Sequence, residues 1–159
     1  GVDFSPILKK LTIGKAEVLR EGDDLLILAL GASVQHSLEA AQELEKQGFQ
    51  ATVVNARFVK PLDENLILTL AAQCGRVLTV EENVAQGGFG SAVLELFSDR
   101  GLMGLTVKRL AIPDMFMEHG PPDLLRAKYG LDAVGILQGA LTLLDQPAQP
   151  KNVVWGSFS

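Results

Sequence analysis

The sequence predicts a single open α/β layer, a mostly parallel five-stranded sheet with helices on both faces and one antiparallel edge strand. Two observations lead there. Between residues 24 and 144 the apolar period switches repeatedly between two and 3.6, with Gly or Pro at the changes. After Asp24, residues 25–30, Leu-Leu-Ile-Leu-Ala-Leu, form an unbroken apolar run of the kind that a strand covered on both faces requires. Strands alternating with helices demand crossover connections, and these give parallel pairing.

The elements follow in order. Residues 15–20 alternate like a half-exposed strand, and the Glu21-Gly22-Asp23 turn after them suits an antiparallel edge. Gly31 stops the apolar run of residues 25–30, and Ser33 is the expected N-cap of a helix to Gln47. That helix carries Val34, Leu38, Ala41 and Leu44 on one side and Glu39, Glu43 and Lys46 on the other, with Gly48 as its stop. Residues 50–55 are the next strand; Pro61 ends the loop, and Asp63 caps a helix bearing Leu66, Ile67, Leu70 and Ala71. Residues 76–81 read as a strand, followed by a loop with Gly87, Gly88, Phe89 and Gly90 and a helix with Val93, Leu94 and Phe97. A strand at 105–111 stops at Pro113, and helices are expected from Pro121 to Tyr129 and from Gly135 to Leu144. Residues 1–13 are expected to be a linker, 14–145 the domain, and 146–159 an extended arm whose Trp155 and Phe158 pack on a partner.

Composition narrows the function. A length of 159 residues is about one domain, enough to bury a full core. With 14 basic and 19 acidic residues the net charge is −5, and no basic run exists to track a phosphate backbone, so nucleic acid is not an expected partner. No apolar stretch approaches the ~20 residues that cross a bilayer, so no membrane association is expected. The start, Gly1-Val2-Asp3-Phe4, lacks a signal-peptide pattern, and the absence of an initiator Met is what a piece of a longer protein would show. The single cysteine, Cys74, precludes an internal disulfide and suits a reducing compartment; its place on an apolar helix face marks it as core.

Several residues could carry chemistry. Gly87, Gly88 and Gly90 follow a strand and open a helix, where free amides can hold an anion. The pattern is near a dinucleotide fingerprint, but Val93 stands where the third Gly belongs and the gap from Glu81 is long for a tight turn. Close backbone packing explains these glycines better than a nucleotide, although Asp114 stands where a ribose-binding carboxylate would. Arg57 and Lys60 lie past the carboxyl end of a strand, where open α/β sheets bind ligands. They could grip a phosphate or meet acidic groups on a neighbouring domain, and the pattern favours neither. Glu81 and Glu82 are adjacent in extended chain and point apart, so they cannot share a proton. His36 reads as a helix-flank residue, and His119 lies in a loop where functional residues concentrate. No metal-ligand spacing, nucleophile elbow or P-loop occurs.

The wording of several segments resembles one family. Residues 14–24 (GKAEVLREGDD), 55–63 (NARFVKPLD), 79–93 (TVEENVAQGGFGSAV) and 112–120 (IPD, then Phe116, Glu118, His119 and Gly120) resemble the C-terminal domain of transketolase-type enzymes. Within these they are most similar to the 1-deoxy-D-xylulose-5-phosphate synthases. The resemblance implies a homodimeric three-domain transferase that joins pyruvate to glyceraldehyde 3-phosphate with loss of carbon dioxide, using thiamine diphosphate and magnesium. It places the diphosphate and metal in the first domain and the pyrimidine activator in the second. It therefore implies that this chain has no catalytic, cofactor or metal residues of its own and is inactive alone. Its expected partners are the preceding catalytic domains and a twin subunit, in bacterial cytoplasm or plastid stroma. Arg57, Lys60, Glu81, Gly87, Gly88, Gly90 and His119 are the expected interface or phosphate contacts. Another transketolase-type enzyme, or a free-standing module binding a nucleotide or phosphate in the strand-end crevice, is the alternative.

Overall fold

A computed structural model describes residues 11–85, 87–113 and 120–147. Asp114, His119, Trp155 and Phe158 lie outside them, so the expectations placed on those residues have no structural counterpart here. The elements run β1 (Glu17–Arg20), β2 (Leu25–Ala29), α1 (Ser33–Lys46), β3 (Ala51–Asn55), α2 (Glu64–Cys74), β4 (Arg76–Val84), α3 (Phe89–Asp99), β5 (Thr106–Ile112), α4 (Pro122–Tyr129) and α5 (Ala133–Asp145). The five strands form one sheet in the order β1-β3-β2-β4-β5. β1 pairs antiparallel with β3, and every other pairing is parallel. The expected fold class is the observed one.

Burial explains the sequence pattern. β2 is central and every residue in it is buried, so it has no polar side to show. Its alternate side chains feed two cores. Leu26 and Leu28 join Ile67, Ala71, Phe89, Val93 and Phe97 beneath α2 and α3. Leu25 and Ile27 join Ala40, Ala41, Leu44, Ile136, Ala140 and Leu143 beneath α1 and α5. Each of the large side chains contributes about 1.5–3 kcal/mol by leaving water. Cys74 is part of the first core, as its helical spacing predicts.

Three local expectations need correction. Ser33 is the first helical residue of α1 and not its N-cap; Ala32 holds that position and no side chain caps the helix. The buried stripe of α1 accordingly runs through Ser33 and Ser37 with Ala40, Ala41 and Leu44, with Val34 and Leu38 only half-buried. The Ser37 hydroxyl makes this tolerable by donating to the Ser33 carbonyl at 2.8 Å. Asp63 does occupy the N-cap position of α2, yet its carboxylate is not used for capping. It accepts from the Ala16 amide at 3.0 Å and lies 3.8 Å from the Lys15 ammonium, fastening the approach to β1 onto the start of α2. Finally, β4 runs three residues beyond Glu81, and α3 begins at Phe89, so Gly90 is helical and not part of the loop.

Candidate functional site

The chemistry-bearing residues gather at the carboxyl edge of the sheet, where β2, β3 and β4 hand over to loops. β2 lies between β3 and β4, which therefore end about 10 Å apart at strand spacings near 4.8 Å. The Arg57 loop leaves β3 and the Glu81–Gly90 region leaves β4. Among the described residues no hydrogen bond or ion pair joins the two groups.

Glu81 decides the character of the β4 side. It is 1% exposed, and its carboxylate accepts from the main-chain N–H of Phe89 at 2.7 Å and of Gly90 at 2.8 Å. The two amides at the start of α3 are the groups a bound phosphate would use, and the helix dipole there favours negative charge. The chain supplies that charge itself. Gly90 is required by close approach: a Cβ there would sit 2.7 Å from the Thr79 hydroxyl and 3.0 Å from Arg109 Cδ. The close approach at Gly90 is to side chains of β4 and β5 and not to another backbone as expected, and a Cβ on Gly87 would meet nothing within 4 Å. Ser91 closes the turn by donating to the Ala85 carbonyl at 2.8 Å, and Arg109 reaches the Ser91 hydroxyl at 3.1 Å. Gly87 is exposed in the loop, and Gly88 is the N-cap of α3.

Glu82 points the other way, as alternation demands. Its carboxylate pairs with the Arg126 guanidinium of α4, and Asp123 adds a second contact to Arg126 at 2.9 Å. The hydrogen bond to Glu82 is the main cause raising the Arg126 pKa above its ordinary value, against burial that would lower it. Sequence gave no sign of this pair, because 44 residues separate its members and no local pattern links them. Ile112, Pro122, Leu125 and Leu131 join Glu82 and Arg126 around a small cleft of about 130 Å³.

Arg57 sits in the left-handed region at φ 60°, unusual for a residue with a side chain. Two contacts hold it there. Its amide donates to Asn55 Oδ1 at 3.1 Å, and its guanidinium pairs with Glu17 of β1. Because β1 is antiparallel to β3, Glu17 stands opposite Asn55, and the edge strand reaches the Arg57 loop. Lys60 is exposed. No group of three or more His, Cys, Asp or Glu that could hold a metal ion occurs among the described residues, and no helix among them is long and apolar enough to cross a membrane.

Comparison with known proteins agrees with this architecture. The family model for the transketolase C-terminal domain matches residues 14–136. A 1-deoxy-D-xylulose-5-phosphate synthase from Geobacter sulfurreducens is 50% identical over 150 residues, which cover 94% of this chain and 24% of that protein. The synthase of a Cyanothece species is 54% identical over 138 residues, covering 87% of this chain and 22% of that protein. The chain therefore spans about a quarter of the length of these curated relatives. A solved structure described as a split-gene transketolase in an inactive β4 tetramer superposes with a TM-score of 0.80 at 36% identity, over 88% of this chain and 45% of that one. A parallel sheet with one antiparallel edge, a self-filled helix start and a match across most of its length have one common reading: this chain belongs to the transketolase C-terminal domain family.

Proposed function

We propose that the chain is the C-terminal part of a 1-deoxy-D-xylulose-5-phosphate synthase, serving dimerisation and support, with no turnover of its own. The single observation that carries this is identity of about half over 94% of the chain to only a quarter of such a synthase. The whole enzyme would combine pyruvate and glyceraldehyde 3-phosphate into 1-deoxy-D-xylulose 5-phosphate and carbon dioxide in a cytoplasm, as a homodimer. Thiamine diphosphate would supply the carbanion chemistry there, with magnesium holding its diphosphate. The residues of this chain do not fit that cofactor: the sequence has no Gly-Asp-Gly motif, and the described residues offer no metal-ligand cluster.

The geometry supports a supporting role for the Arg57 loop. Gly14 packs against Pro61, and Lys15 and Ala16 are fastened to Asp63, so residues 14–16 lie against the end of the Arg57 loop. Leu11 and Ile13 in that stretch are 57% and 75% exposed, apolar surface suited to a neighbouring domain. Arg57, Lys60 and Gly87 at the same sheet edge would face the preceding domains or the twin subunit. Glu81, Gly88 and Gly90 would hold the loop in shape, and His119 is proposed as a contact on sequence grounds alone.

Reconstitution tests this reading. The chain alone should give no product from pyruvate and glyceraldehyde 3-phosphate, whereas adding it to a synthase truncated before this region should restore turnover. Product from the chain alone, or full activity and normal dimerisation of the truncated enzyme without it, would discard the proposal. In the full-length enzyme Arg57→Ala should weaken the dimer or lower kcat/KM several-fold. Wild-type values for both would remove the loop from the interface.

A further inference from the structure

We propose that the β2–α1 turn is a binding site for a small phosphate-type oxyanion, independent of the assembly role above. Topology gives the place. From β2 the chain proceeds to β3 on one side and later reaches β4 on the other, so the connection reverses at the carboxyl end of β2. Open α/β sheets bind ligands in the crevice at such a reversal.

The start of α1 is the one helix start that the described part of the chain leaves without an acidic side chain. α3 has Glu81, α5 has Asp132 accepting from Gly135, and α2 and α4 carry Glu64 and Asp123 in their first turns. α1 has no side-chain cap and no acidic residue in its first turn. A second observation points to a ligand. Ser33, the first residue of α1, is fully buried and its hydroxyl has no hydrogen-bond partner. It lies on the sheet-facing stripe, and the Cα–Cβ bond of a helical residue tilts toward the helix N-terminus, so this side chain leans toward the crevice end of α1. A buried hydroxyl without a partner costs stability, which an accepting oxyanion would recover. The turn that precedes it is open: a Cβ on Gly31 would meet nothing within 4 Å. The carboxylate at the end of β4 on this sheet face, Glu82, is neutralised by Arg126 and does not oppose an anion.

The experiment titrates inorganic phosphate into the isotope-labelled 159-residue chain at constant ionic strength and follows backbone amide shifts. Saturable shifts of the amides of residues 32, 33 and 35, at about 1 mM phosphate or below, are expected; the Val34 amide already donates to the Gly31 carbonyl at 3.2 Å. The Phe89 and Gly90 amides, already bonded to Glu81, serve as the internal control and should stay put. Ser33→Ala should weaken binding about tenfold. Ala32→Asp, which places a carboxylate at the N-cap and so favours the helix, should abolish it. Absence of saturation by about 10 mM, equal shifts at Phe89 and Gly90, or unchanged binding in either variant would overturn the proposal. Each result leaves the reconstitution outcome untouched, so the two readings fail separately.

Discussion

Glu81 is a residue whose removal should be felt far beyond its own atoms. Ala at this position leaves two buried amides of α3 without acceptors, at a cost of about 3 kcal/mol. Urea unfolding should show that loss, and a change below about 1 kcal/mol would mean that water or another group replaces the carboxylate. Thr79, two residues earlier on the same side of β4, has a fully buried hydroxyl with no partner. Thr79→Val should therefore be neutral or stabilising by up to about 1 kcal/mol. Gly90→Ala, by contrast, drives a methyl into that hydroxyl and into the Arg109 stem and should cost about 1–3 kcal/mol. Thermal melts of the three variants would rank them Thr79→Val, Gly90→Ala, Glu81→Ala from most to least stable.

At the scale of elements, α4 stands apart. Its eight residues include none that is buried, Leu124 is 66% exposed, and the Arg126 pairing with Glu82 ties it to β4. It packs on α5 through a hinge where Gly130 and Gly135 meet so closely that a Cβ on Gly135 would lie 2.3 Å from Gly130 Cα. An element with little buried surface opens locally at low free energy. Amides of α4 should exchange with deuterium faster than those of β2 by a factor of about a thousand or more. Arg126→Ala should widen that ratio while leaving β2 unchanged; protection in α4 equal to that in β2 would contradict the account. Periodicity announced α4 as a helix, but only the tertiary arrangement shows how lightly it is held.

For the whole molecule, two cores share one sheet. Leu44 packs on one face and Ile67 on the other, and both are fully buried. Truncating either to Ala should cost about 2–5 kcal/mol. Because the sheet separates them, the double variant should lose the sum to within about 0.5 kcal/mol. Denaturant curves read by circular dichroism and by methyl resonances should coincide in each variant; a split transition would show two units in place of one. The outer strands are guarded against pairing with other chains: β1 is four residues long and β5 carries Lys108 and Arg109.

Sequence alone determined the fold class, because the one fully buried strand has to be apolar throughout and the helices have to be apolar on one side. It also determined that Glu81 and Glu82 face apart, that Cys74 is core, and that the family motifs at residues 14–24, 55–63 and 79–93 stand in order. Tertiary structure decided what each polar group touches. Glu81 finds its partners eight and nine residues on, Glu82 finds Arg126 across 44, and Asp63 serves Ala16 across 47 where local rules assign it to its own helix. The physical reason is one of range: periodicity records which side of an element leaves water, whereas hydrogen-bond partners are fixed only when distant segments are brought to within 3 Å or so.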